Sequence, residues 1–384
     1  MSYYSIPKIQ FNNELINLIQ ITNSEINKPF INKSLSLYLN KIKCQIDDCI
    51  DEWDKFKKYT NNYEYIHTNI PKTNYSICRY KPLSRSFYKM IEICNVLSLL
   101  NNLSPNNCTT YHLAEGPGGF IEAITHLRNN SKDTYYGISL IDENESIPGW
   151  KKSKTFLESN KNVIIETGID KTGNLLNPDN LIDCYTRLNG KIDFITGDGG
   201  FDFSIDFNKQ EVTSSKLILA QISYIIAMLK PTKDCVIKFF DMFSIVSIEL
   251  LYILASIFNE VIIFKPNTSR NANSERYVIC KNYNLDEKNK HRLVLKLKSI
   301  IAQFNESDIG SILNFKLPSY FINKIEEINA ILGQQQIESI LSTLTLISNH
   351  TDEKLEILKK NNIQKCIKWC QKHSLSFNKN FFFH

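Results

Sequence analysis

Four charged side chains carry the strongest chemical signal in this sequence. Lys238 sits in Cys235-Val236-Ile237-Lys238-Phe239-Phe240-Asp241, a run otherwise apolar on both faces. A buried ammonium is costly unless paired, and burial drives its pKa toward neutrality. The bland alternative is a lysine reaching water from the end of a strand. Asp198 lies in Thr196-Gly197-Asp198-Gly199-Gly200, where flanking glycines point to a carboxylate in a close-fitting site or to an ordinary Asp-Gly turn. Glu275 opens a strand after the loop formed by residues 265–274. Lys89 lies on an amphipathic helix, and on helical periodicity alone it is a solvated lysine. Two lysines and two carboxylates in one site can lower the pKa of one amine until it acts as a base. They can also hold a hydroxyl in line with an electrophile.

A second feature is the run Tyr111-His112-Leu113-Ala114-Glu115-Gly116-Pro117-Gly118-Gly119-Phe120, which passes from a strand into a helix over 121–127. Glycines there allow a sharp turn and a close ligand, and the helix start offers unpaired N–H groups. Ile121 stands where a dinucleotide fingerprint needs its third glycine, and no Gly-Lys-Ser/Thr follows to make a phosphate loop. A tight connection without a ligand is the alternative.

The elements that must position these residues follow from the hydrophobic pattern. Strands are predicted over 110–114, 134–140, 162–167, 192–196, 235–240, 261–264 and 275–280, with helices between several of them, clearest over 214–229 and 245–258. This alternation predicts stacked β–α units around a mostly parallel sheet, whose ligand site lies at the carboxyl ends of the strands. Residues 1–76 read as a helical N-terminal extension, including a helix through 49–56. Residues 285–384 read as a helical C-terminal region with helices over 322–346 and 354–370, and residues 77–284 as the central domain. The 45 basic and 40 acidic residues leave a charge of only +5, so any nucleic-acid contact must be a local patch. MSYYSIPKIQ has no signal-peptide apolar stretch and no run reaches membrane-spanning length, so the expectation is a soluble, intracellular protein without membrane contact. The ten cysteines are scattered without a CxxC pair, as reduced buried thiols would be. Cys366, Cys370 and His373 share one helix face at spacing i, i+4, i+7. With no fourth ligand nearby they read as buried side chains, and no metal is expected.

These segments, above all Lys265-Pro266-Asn267-Thr268-Ser269-Arg270-Asn271-Ala272-Asn273-Ser274-Glu275-Arg276-Tyr277, resemble the FtsJ-like RNA 2′-O-methyltransferases. The likeness is strongest to the eukaryotic branch specific for the mRNA cap and covers roughly residues 80–284. The resemblance implies an α/β fold, a seven-stranded S-adenosylmethionine-dependent methyltransferase (Rossmann-like) sheet with helical N- and C-terminal extensions. It implies a catalytic tetrad of Lys89, Asp198, Lys238 and Glu275, with Lys238 as base. It places S-adenosylmethionine among Ser84, Glu115, Gly116, Pro117, Gly118, Gly119, Phe120, Ile169, Asp170 and Asp198. By equivalent position it places RNA against Asn208, Lys209, Gln210 and Asn273. The implied partner is capped mRNA, with other RNA-processing proteins as further candidates. Lys151, Lys152, Lys154, Lys209, Lys265, Arg270 and Arg276 are candidates for a phosphate track. A transferase of structured RNA and a non-catalytic subunit keeping the fold are the rival readings.

Overall fold

The computed structural model describes residues 3–22, 28–142, 149–200, 210–304 and 309–378. Its strands are β1 (Tyr3–Ile6), β2 (Ile19–Thr22), β3 (Thr109–Leu113), β4 (Thr134–Ile138), β5 (Val163–Glu166), β6 (Ile192–Gly197), β7 (Leu229–Phe239), β8 (Phe258–Phe264), β9 (Arg276–Tyr283) and β10 (Ser311–Leu313). The first half of the chain holds helices α1 (Glu14–Leu18), α2 (Lys33–Cys44), α3 (Ile50–Thr60), α4 (Ser86–Leu97), α5 (Gly119–Arg128), α6 (Lys154–Ser159) and α7 (Pro178–Leu188). The second half holds α8 (Gln210–Met228), α9 (Ile245–Ile257), α10 (Glu287–Ile301), α11 (Ser319–Ser348) and α12 (Asp352–Lys372).

All seven predicted strands are present and pair in one sheet, in the order β1-β8-β9-β7-β6-β3-β4-β5. The sheet has eight strands rather than the seven expected. The eighth is β1, which pairs antiparallel along β8 and comes from a segment read as helical. Four residues are too few to show alternation in sequence, and their pairing is a tertiary event. Strands β5, β4, β3, β6 and β7 run parallel, and β9 is antiparallel to both β7 and β8. The chain winds outward from β3 in one direction and from β6 in the other, so the crevice between these two strands is the switch point.

Strand alternation sorts the sheet's side chains into two cores. Cys235, Ile237 and Phe239 join the core under α7–α10, while Val236 joins the core under α4, α5 and α12. Strand β9 does the same, with Val278 and Cys280 on one face and Tyr277 and Ile279 on the other. Lys238 shares the parity of Val236, and Glu275 that of Tyr277. Asp198 continues the parity of Phe194, another residue of the α4 face. The pleat therefore turns all three toward the helix that carries Lys89.

The terminal segments pack onto this framework. Leu39 and Ile42 of α2, Trp53 of α3 and Ile337 and Ile340 of α11 form a third apolar cluster with Phe243. Pro318 stands at the N-cap position of the 30-residue α11. Cys366 and Cys370 of α12 and His373 at its C-cap are buried, and all ten cysteines are free thiols. No group of three or more metal-capable side chains occurs among the described residues, and no described helix is long and apolar enough to cross a membrane.

Candidate active site

At the carboxyl end of the sheet the four charged residues form two lysine–carboxylate pairs. Lys89 Nζ lies 2.7 Å from Glu275 Oε2 across 186 residues of chain. Lys238 Nζ donates to the main-chain oxygen of Asp198 at 2.6 Å and lies 3.1 Å from its Oδ1. Lys89 is not the solvated lysine that periodicity suggested; it is 6% exposed. Ten of the twelve residues of α4 are buried, so this helix has almost no solvent face on which a lysine could sit. Burial pushes the Lys89 ammonium down against the opposing pull of Glu275. Burial would raise the Glu275 carboxyl, but the charges of Lys89, Lys238 and Lys265 more than offset it and hold it well below the usual range.

Each pair has its own scaffold. The Asp198 turn is clamped by Gln221 of α8, whose Oε1 accepts from Gly199 N at 3.2 Å. A Cβ on Gly197 would lie 2.3 Å from that same oxygen, which is why the carboxylate is bracketed by glycine. Gly200 approaches Lys238 closely, and a Cβ there would stand 3.2 Å from Nζ. Glu275 is held by the loop before it. Ser269 Oγ donates to Glu275 Oε1 at 2.9 Å, and the loop's root is gripped by Glu92. That buried carboxylate, one turn beyond Lys89 on α4, accepts from Asn267 N, Asn267 Nδ2, Thr268 N and Thr268 Oγ1 at 2.9–3.0 Å. Trp369 Nε1 of α12 adds a fifth donor at 3.2 Å, so the C-terminal region reaches the carboxylate that grips the loop before Glu275. Farther along, Arg270 pairs with Glu64. Glu92 and Glu64 were not singled out from sequence. The available signal for Glu92 was a carboxylate three residues after Lys89 on a helix apolar on most sides.

The glycine turn runs from β3 into α5 with Gly118 at φ +112°, a conformation that favours glycine. Glu115 does not face outward. Its Oε1 caps α5, accepting from Phe120 N at 2.6 Å and Ile121 N at 2.9 Å. Its Oε2 is buried without a hydrogen-bond partner, and burial and then Asp198 push the carboxyl well above its usual range. An orphan carboxyl oxygen beside the switch point suits a ligand with hydroxyls, such as the ribose of S-adenosylmethionine, since a hydroxyl can pair with a carboxyl in either protonation state. The space that Gly119 leaves is filled by the hydroxyls of Ser84 and Ser86, and that of Gly116 by Gly149. These glycines thus bind the turn to α4 and to the segment at Gly149. Pro117 lies between them, and Phe120 is fully buried against Tyr277. Trp150, also missed in sequence, packs where Gly118 and Gly137 lack side chains.

Ile169 is 65% exposed on the rim after β5. The Asp170 carboxylate accepts from Asn177 Nδ2, Asn180 Nδ2 and Thr172 N at 2.7–3.0 Å. Desolvation would raise it, but these bonds together outweigh that and hold it at about 2. Of the expected RNA contacts, Asn208 and Lys209 lie outside the described residues. Gln210 and Asn273 are brought together around a cavity of about 320 Å³ that α3 closes with Trp53 and Lys57. Gln210 Oε1 accepts from Ser274 Oγ beside it. The proposed phosphate track needs correction. Arg276 is 2% exposed, bonded to Asp241 at 3.2 Å and to Asn329 of α11 at 2.8 Å, and Lys43 of α2 completes that buried network at 2.9 Å. Lys265 is likewise turned inward. A buried guanidinium reads like a surface one in sequence when its partners lie on remote elements. Lys151, Lys152 and Lys154 are exposed.

Comparison with known proteins adds a family. The model of the FtsJ-like methyltransferase family matches residues 82–283. Cap-specific mRNA (nucleoside-2′-O-)-methyltransferase 2 of Drosophila melanogaster is 28% identical over 312 residues, covering 75% of this chain and 42% of that protein. Cap-specific mRNA (nucleoside-2′-O-)-methyltransferase 1 of Danio rerio is 33% identical over 206 residues, covering 50% of this chain and 24% of that protein. The chain spans under half the length of these relatives.

Proposed function

The chain belongs to the FtsJ-like methyltransferase family, whose members use S-adenosylmethionine, and from that premise we propose that it methylates the ribose 2′-hydroxyl of a cap-proximal nucleotide in mRNA. The observation that carries this reading is the convergence of Lys89, Asp198, Lys238 and Glu275 at the carboxyl end of the sheet, beside the glycine turn. Residues 77–284 act as the transferase unit, and the flanking helices brace it.

When bound, S-adenosylmethionine supplies an electrophilic methyl group. Glu115 Oε2, the glycine turn, Ser84 and the Ile169-Asp170 segment are the residues that would surround it. A ribose hydroxyl is a poor nucleophile, so Lys238 acts as the base that takes its proton while the oxygen gains the methyl group. Asp198 fixes Lys238 through two contacts and leaves one position on the amine for the hydroxyl. Lys89, held by Glu275, orients that hydroxyl and the neighbouring phosphate. Gln210 and Asn273 border the cavity that receives the RNA beside this centre.

The curated relatives are what support the cap preference. Transfer of labelled methyl from S-adenosylmethionine to capped, uncapped and structured RNAs tests it. Capped transcripts should be methylated most efficiently. Equal labelling of uncapped transcripts would defeat the cap assignment, and cofactor binding without transfer to any RNA would point to a non-catalytic subunit.

A further inference from the structure

Lys265 follows β8 directly and spends its whole hydrogen-bonding capacity on one turn. Its Nζ lies 2.6 Å from Asn273 O, 2.6 Å from Asn273 Oδ1 and 2.7 Å from Glu275 O. An ammonium has three protons and no acceptor, so the three oxygens account for all of it. All three belong to a span of three residues that contains both Asn273, which borders the substrate cavity, and Glu275, which holds Lys89. The neutral amine has two protons and a lone pair, and the lone pair would face a third oxygen. The turn is therefore built for the charged form, although desolvation pushes this lysine down to about 7.

The contact also decides which end of the Asn273 amide is available. Oδ1 receives Lys265, and Ser269 Oγ approaches the same atom at 3.3 Å. The reversed amide would set its NH₂ against an ammonium, which has nothing to accept with. Asn273 thus meets the cavity as a donor, suited to an oxygen acceptor on the RNA such as a phosphate, a ribose hydroxyl or a base carbonyl.

Resting on the function proposed above, we propose that Lys265 is a positioning residue that locks Asn273 with its amide donor toward the RNA and braces the main chain at Glu275. It touches no substrate itself. Two variants of the full chain test this in steady-state methyl transfer. Asn273→Asp keeps an acceptor for Lys265, indeed a charged one, but has no donor to offer. It should remain folded, bind S-adenosylmethionine as the parent does, and raise the KM for RNA about tenfold. Lys265→Met keeps the length of the side chain but frees the amide, and should raise the same KM. Combined, the two substitutions should raise that KM no more than Asn273→Asp does alone, because their effect on RNA affinity runs through one donor, while loss of the brace at Glu275 lowers kcat. An Asn273→Asp enzyme with parental KM for RNA would overturn the proposal, even if Lys265→Met failed to fold. Fully additive effects in the double variant would overturn it too. If the parent protein methylates no RNA, the functional reading itself falls, an outcome distinct from active variants that behave like the parent.

Discussion

The two lysine–carboxylate pairs look alike in composition and differ in construction. Lys238 and Asp198 sit at the ends of adjacent parallel strands, and half of their contact is to a main-chain oxygen that no side-chain substitution removes. Lys89 and Glu275 meet only through side chains brought from a helix and from the end of a loop. That second pair needs a brace, which Glu92, Ser269, Lys265 and the Arg270–Glu64 pair provide together. The first pair is a product of strand geometry; the second is a product of tertiary packing. A site can thus place two chemically equivalent pairs with different tolerance to change.

The largest expected break in this symmetry is catalytic. Lys238→Ala should lower the rate of methyl transfer by about a thousandfold while the affinity for S-adenosylmethionine, measured by calorimetry, stays within about twofold. Full activity in that variant would remove Lys238 from the role of base. The next contrast is in stability. Glu275→Gln strands Lys89 without its counter-charge and should cost about 3 kcal/mol in urea unfolding. Asp198→Asn preserves the main-chain contact to Lys238 and should cost about 1 kcal/mol or less, although it impairs transfer. Equal losses would mean that the two pairs are braced alike.

The last effect concerns pH. Burial alone would raise the Glu64 carboxyl, yet its hydrogen bond to Arg270 and the charges of Arg85 and Arg270 bring it down to about 2. A carboxyl depressed on folding contributes stability above its unfolded value and loses it as pH falls toward the folded one. The brace should therefore weaken between about pH 4.5 and 2, by on the order of 2 kcal/mol. His67, held at about 3 by burial and neighbouring cations, adds a separate loss between about pH 6.5 and 3. Thermal midpoints of Glu64→Gln across this range should lose only the lower step. An unchanged profile would show that Glu64 does not support the loop electrostatically.

The same contrast explains what was legible in the sequence. Asp198 and Lys238 stood out because glycines and an apolar strand surround them locally, and the seven strands β3–β9 could be located from alternation and turn residues. Lys89 could be carried into the site only by resemblance, since periodicity placed it in water. Its burial depends on α5, α12 and the loop around Asn267, all distant in sequence. Lys265 and Arg276 were misplaced on the surface for the same reason. A charge inside a protein is recognised by its partners, and those partners lie on other elements.

Strand β1 has a consequence unrelated to methyl transfer. The sheet ends in four-residue strands on both sides, β1 at one margin and β5 at the other. Beneath β1 lies β8, FNEVIIF, longer and mostly apolar, with main-chain groups that would template pairing with another chain if uncovered. Residues 3–6 act as a selvedge on that margin. Losing them would compromise solubility before it touched catalysis.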